Sequence, residues 1–200
     1  MKRAIIAHCW GGGPDYIWYP YVKNELEKEG FEVIVPQLPD TENPNLNTWL
    51  PALKDVVGKI DKDTYLIGHS AGCITIMRLL ESLQDEQKAG GVVFVAGFTN
   101  DLGFGELKSF FTTPIDYEKI KKHSGTFVDI FSDNDPYVPL SESEVLKKKL
   151  GVEMVFKPGM SHFSDVGDGG GISCTELPDV VDKILEIANN YFQETNGGHA

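Results

Sequence analysis

Two hundred residues, 41% hydrophobic and 24% charged, are enough for one substantial core, and no apolar run approaches membrane-spanning length. Eighteen basic against thirty acidic side chains give a net charge of −12, which disfavours nucleic acid and anionic membranes as partners, since both are polyanions. The three cysteines, Cys9, Cys73 and Cys174, have no framework spacing, and no signal-peptide pattern follows Met1, so the chain reads as reduced and cytoplasmic.

Ala4-Ile5-Ile6-Ala7 is a short apolar run of the kind that forms a buried parallel strand. It leads into His8-Cys9-Trp10-Gly11-Gly12-Gly13-Pro14, a loop that can bring bare backbone near a ligand. Its spacing does not match a dinucleotide fingerprint or a phosphate-binding loop. A helix is expected from about Pro20 to Glu29, stopping at Gly30, and then a strand over 31–35 closed by Pro36 and Pro39. Asn47 or Thr48 is placed to cap a second helix with Pro51 in its first turn.

Thr64 to Ile67 reads as a third strand and Cys73 to Leu80 as a buried helix, with Gly68-His69-Ser70-Ala71-Gly72 between them. Strands follow at 92–96, 126–131 and 152–156, and short helices near 117–122 and up to Leu150, the latter with Ser141 and Glu144 spaced as a capping box. Phe98 to Pro114 has no clean period; its aromatics Phe104, Phe110 and Phe111 are candidates for a pocket wall or for plain packing. The last helix is expected from Pro178 to Phe192. One domain over residues 1–193 and a disordered tail over 194–200 complete the reading.

Strands alternating with helices predict an α/β fold, a three-layer sandwich with about six parallel strands and helices on both faces. Ligands of such sheets sit beyond the carboxyl ends of the strands. The Trp10 loop, Ser70, the Asp133–Asp135 loop and His162 each directly follow a predicted strand, so they converge on one rim.

A strand, a Gly-x-Ser-x-Gly turn and a helix make a nucleophile elbow, which lifts Ser70 above the sheet. A serine hydroxyl needs a base. Of five histidines, His199 lies in the tail, His123 ends a lysine-rich helix, His69 diverges from its neighbour Ser70, and His8 ends the first strand. His162, after the last strand, fits the order Ser, Asp, His and is the choice. The carboxylate that orients it is Asp135, held rigid by the prolines of Asp-Pro-x-Val-Pro, while Asp133 is read as a local turn-former; Asp101 and Asp165 are lesser candidates. The Ala71 N–H is one oxyanion donor. Cys9, Trp10 and Gly11 compete for the second, and Trp10 is chosen; its side chain is also a candidate pocket wall.

These segments resemble the small serine hydrolases of the α/β-hydrolase superfamily typified by retinoblastoma-binding protein nine and its bacterial relatives. The resemblance is carried by Gly11-Gly12-Gly13, Val22 to Lys28, Ile67 to Gly72, Thr99 to Gly103, Tyr117 to Lys121, Asp133 to Pro139 and Gly159 to Phe163, and covers nearly the whole chain. It implies the α/β-hydrolase fold without a large cap domain, a catalytic Ser70, Asp135 and His162, and small-molecule ester, thioester or amide substrates. The chemistry calls for no metal or organic cofactor. The Leu-x-Cys-x-Glu motif of the family's namesake is missing from Val57 to Lys62, and Ile172 to Glu176 matches it only by displaced chance, so no retinoblastoma-type protein partner is expected. The reading from another class is a non-catalytic protein- or ligand-binding module on the same scaffold.

Overall fold

A computed structural model describes residues 1–168 and 173–196, with side chains over 1–167 and 173–190. Six strands form one fully parallel sheet: β1 (Arg3–Ala7), β2 (Glu32–Ile34), β3 (Thr64–His69), β4 (Gly91–Val95), β5 (Phe127–Phe131) and β6 (Glu153–Phe156), in the order β2-β1-β3-β4-β5-β6. β3 and β4 are buried along their whole length, as their near-continuous apolar sequences require when helices cover both faces.

The helices are α1 (Tyr19–Lys28), α2 (Leu46–Val57), α3 (Ala71–Glu81), α4 (Tyr117–Lys122), α5 (Leu140–Leu150) and α6 (Pro178–Asn196). Right-handed crossovers decide their sides. The chain steps one way from β1 to β2 and the other way thereafter, so α1 pairs with α6 on one face while α2, α3, α4 and α5 pack in succession on the other. The strand order reverses between β1 and β3, and this opens a crevice at their carboxyl ends. Register completes the placement: Ala7 pairs with Gly68, His69 with Val95, and Phe131 with Phe156. The loops after β1 and β3 therefore leave the sheet side by side, as do those after β5 and β6.

Several local expectations are corrected. The cap of α2 is Asn45, whose side chain accepts the Asn47 N–H at 2.9 Å, so Pro51 falls in the second turn and removes an internal bond. No capping box forms at α5: its N-cap is Pro139, and Glu142 turns to other work. The final helix runs to Asn196, past the expected start of the tail at 194, because Ala188 to Asn196 contains neither glycine nor proline to stop it. Residues 197–200 of the expected tail lie outside the described residues, as do 169–172 of the glycine-rich loop.

Between β4 and α4 the chain makes a long excursion containing a 3₁₀ segment, Gly105–Phe111. Its two feet are clamped. Glu142 accepts the Thr99 N–H, the Thr99 hydroxyl and the Asn100 amide, each at 2.6 Å. Arg78, buried in α3, donates to the Phe110 carbonyl at 2.9 Å and the Thr113 carbonyl at 2.6 Å. Among the described residues no helix is long and apolar enough to cross a membrane.

Candidate active site

Ser70 stands between the end of β3 and the start of α3 with φ 53° and ψ −117°, a left-handed conformation unusual for a residue with a side chain. Holding such a residue costs on the order of 1–3 kcal/mol, which the surroundings must supply. Its N–H donates to the Val95 carbonyl at 2.9 Å, and its carbonyl accepts from Cys73 N–H at 2.8 Å. The flanking glycines allow close approach. A Cβ on Gly68 would lie 2.7 Å from Cys73 Cα, and one on Gly72 would lie 2.0 Å from the Ala7 carbonyl oxygen. Helix α3 thus presses directly on β1 and β3, and its N-terminus, with its positive dipole end, points into the crevice.

His162 reaches Ser70 from the loop after β6. Its Nε2 is 2.9 Å from Ser70 Oγ and its Nδ1 is 2.7 Å from Asp135 Oδ2. A carboxylate only accepts, so Nδ1 carries a proton, and in the neutral ring Nε2 is bare toward the serine hydroxyl. Asp135 Oδ1 accepts the Tyr137 and Val138 N–H groups at 2.9 and 3.0 Å, which fixes the carboxylate plane. Ser70, Asp135 and His162, separated widely in sequence, come together as one hydrogen-bonded row.

Asp133 is not the local turn-former expected from its position. Its Oδ1 accepts the Gly159 N–H at 2.8 Å, across to the histidine loop. Ser132 Oγ accepts the Met160 N–H at 3.0 Å, and Asn134 Oδ1 accepts the Ser161 N–H at 2.7 Å. Three successive side chains after β5 thus hold three successive amides before His162. This bracing supports a strained loop: Ser161 and Phe163, on either side of His162, have φ 52° and 54°. Sequence reading missed the braces because their partners lie in another loop. The only signal was the density of Asx and Ser residues beside Asp135.

The loop after β1 is ordered by His8. Its Nδ1 lies 2.7 Å from the Cys9 carbonyl and its Nε2 accepts the Leu38 N–H at 3.1 Å, so both ring nitrogens are engaged and neither faces Ser70. Burial pushes its pKa down. The Cys9 N–H donates to Tyr19 Oη at 3.0 Å and the Gly11 N–H to the Thr41 carbonyl at 2.9 Å. Among the described residues, the Trp10 and Ala71 N–H groups have no acceptor. Asp101, by contrast, accepts the Gly103 N–H in a local turn, and Asp165 similarly accepts its neighbour's.

A cavity of about 300 Å³ opens above Ser70. Trp10, Phe104, Tyr137 and His162 form an arc of edge-on rings around it, with centroids 6.0, 6.3 and 5.0 Å apart. Trp10 is pinned by its indole N–H, which donates to the Glu42 carbonyl at 3.0 Å. The two other expected pocket aromatics stand elsewhere. The 3₁₀ segment turns Phe110 into the core, fully buried and edge-on to Trp49. Phe111 packs on Phe98 beside a separate groove that contains Thr99 and Tyr117. Cys9 also lines the active cavity; Cys73 and Cys174 are buried, with burial pushing the Cys174 thiol up to about 12.

A six-stranded parallel sheet of this order, with a strand–serine–helix turn at its switch point and no large cap domain, is the α/β-hydrolase fold. The chain belongs to the serine hydrolase family, whose model matches residues 4–170. It is 29% identical over 194 residues to the YdeN protein of Bacillus subtilis (strain 168), covering 96% of this chain and 97% of that one. It is also 29% identical over 168 residues to the serine hydrolase RBBP9 of Rattus norvegicus, covering 82% and 88%. The crystal structure of the Bacillus subtilis protein superposes with a TM-score of 0.87 over 94% of this chain and all of that one. Est1E of Butyrivibrio proteoclasticus, solved with ferulic acid, shares the fold at a TM-score of 0.71 and 17% identity over 94% and 90% of the two chains.

Proposed function

We propose that this hydrolase cleaves small esters, thioesters or amides through a covalent acyl-enzyme on Ser70. The observation that carries the reading is the unbroken row from Ser70 Oγ through His162 to Asp135, at 2.9 and 2.7 Å. His162 Nε2 takes the Ser70 proton as Oγ attacks the acyl carbon. The Ala71 and Trp10 N–H groups receive the oxyanion, the first at the helix terminus and the second in the loop after β1; each such donor contributes about 3–4 kcal/mol to the transition state. His162 then protonates the leaving group. Water repeats the sequence on the acyl-enzyme, giving up its proton to His162, which returns it to Ser70 Oγ as the acid departs. Asp135 holds the ring in the required tautomer and stabilises its charged form.

The cavity volume and its aromatic arc suit a compact apolar acyl or aryl group, so a short p-nitrophenyl ester is the natural first substrate. A fluorophosphonate probe tests the assignment. It should label the wild-type protein at Ser70 and leave a folded Ser70→Ala variant unlabelled. Labelling that persists in Ser70→Ala removes Ser70 as nucleophile; a wild-type protein that neither labels nor turns over esters is the non-catalytic binding module instead.

A further inference from the structure

We propose that Tyr19 and His69 are positioning residues, whose hydrogen-bonded tie sets the loop carrying the Trp10 N–H against the loop carrying His162. The inference rests on the acyl-transfer reading above and goes beyond the three residues of the proton relay.

The tie runs through three bonds. The Cys9 N–H lies 3.0 Å from Tyr19 Oη, Tyr19 Oη lies 2.7 Å from His69 Nδ1, and His69 Nε2 lies 2.9 Å from the His162 carbonyl oxygen. Its ends determine its direction. A backbone N–H only donates and a backbone carbonyl only accepts. Cys9 therefore gives its proton to Tyr19, and His69 must carry a proton on Nε2 to reach His162. In the neutral ring that leaves Nδ1 bare, and the Tyr19 hydroxyl donates to it. Every donor along the tie then meets an acceptor.

Packing holds the arrangement. Tyr19 and His69 have no exposed surface. The rings of Trp18 and Tyr19 stand 5.6 and 5.9 Å from the His69 ring, and the His162 ring lies 5.3 Å away on another side. Burial and the neighbouring His162 ring push the His69 pKa well down, which agrees with the neutral form.

Chemistry needs this alignment. The acyl oxygen must meet the Trp10 N–H while the leaving group meets His162 Nε2, and such sites tolerate displacements of only about 0.5 Å. The two loops follow β1 and β6, and three strands lie between those in the sheet. A second bond between these regions is longer and exposed: Asp165 N–H to Tyr16 Oη at 3.4 Å. The residue before the nucleophile thus does more than order its own turn.

The test uses the purified full-length protein and four variants, Tyr19→Phe, His69→Leu, their double and His69→Gln. For a p-nitrophenyl ester, Tyr19→Phe and His69→Leu should each lower kcat by tenfold to a hundredfold, with KM within threefold of wild type. The double variant should fall no further than the lower single, because either change breaks the same chain. His69→Gln, whose amide both donates and accepts, should recover a good part of the His69→Leu loss. Losses that multiply in the double variant, or a Tyr19→Phe kcat within twofold of wild type, overturn the proposal. Should His69→Leu not fold, nitrogen NMR of the wild-type imidazoles decides: His69 in the Nε2–H tautomer supports the tie, and Nδ1–H or a charged ring at neutral pH rejects it. Fluorophosphonate labelling separates the two levels. An unlabelled wild type brings down the acyl-transfer reading itself; a wild type and Tyr19→Phe that label at equal rates bring down only the tie.

Discussion

Asp129 sits within β5 with no exposed surface, and burial raises its carboxyl from an ordinary 3.8 to about 7. The Gly97 N–H, 3.3 Å from Oδ1, and the Ser143 hydroxyl oppose the shift without cancelling it. In the unfolded chain the group ionises near 3.8. Between those two values the folded protein keeps a proton that the unfolded chain has released. Stability therefore falls as pH rises through this window and levels off above about 7. A window of roughly three pH units at about 1.4 kcal/mol each amounts to about 4 kcal/mol. Asp129→Asn retains an oxygen for Gly97 and never ionises. It should match or slightly trail the wild type near pH 4 and exceed it by up to about 4 kcal/mol at pH 8. Urea unfolding of both proteins in half-unit steps from pH 4 to 8.5, followed by tryptophan fluorescence, gives the difference curve, in which the other carboxylates cancel. A flat difference, or a wild type that gains on the variant as pH rises, refutes the reasoning.

Four further outcomes are expected. Gly72→Ala, with its Cβ 2.0 Å from the Ala7 oxygen, should lose at least about 3 kcal/mol or fail to fold, while Gly105→Ala, whose Cβ meets nothing within 4 Å, should stay within about 0.5 kcal/mol by thermal unfolding. Asp135→Asn should lower kcat by about 10³–10⁴ in ester hydrolysis, whereas Asp133→Asn, which keeps an acceptor for Gly159, should retain most of it; the reverse order would show the wrong carboxylate. Phe104→Ala should shift the preferred acyl length with little change in melting temperature, because Phe104 lines the cavity. Phe110→Ala should cost about 3–5 kcal/mol of stability, read by urea unfolding, with the acyl preference unchanged, because Phe110 packs in the core.

What could be read from the sequence follows from what is local. Ser70, Asp135 and His162 each come just after an apolar run that forms a strand, and parallel topology alone carries strand ends to one rim. Trp10 was one of three choices; the bonds from Cys9 to Tyr19 and from Gly11 to Thr41 decide which amide is left open, and neither partner is near in sequence. His69 could be seen as a turn residue, but its partners Tyr19 and His162 lie 50 and 93 positions away. Phe110 and Phe111 were indistinguishable as letters, since their direction depends on a 3₁₀ segment that hydrophobic periodicity does not reveal. The Ser141–Glu144 spacing misled because Pro139 takes the cap position first.

The clamped excursion between β4 and α4 has an evolutionary consequence. Glu142 and Arg78 hold its feet, while the hydrogen-bonded row of Ser70, His162 and Asp135 hangs on other loops. Sequence drift between the feet can recut the wall at Leu102 and Phe104 without loosening Ser70 or His162. On the acyl-transfer proposal, a lineage built on this scaffold would exchange substrates by changing a few side chains of one segment. Grafting that segment between relatives, with its glutamate and arginine anchors kept, becomes a direct way to transplant preference while the chemistry stays in place.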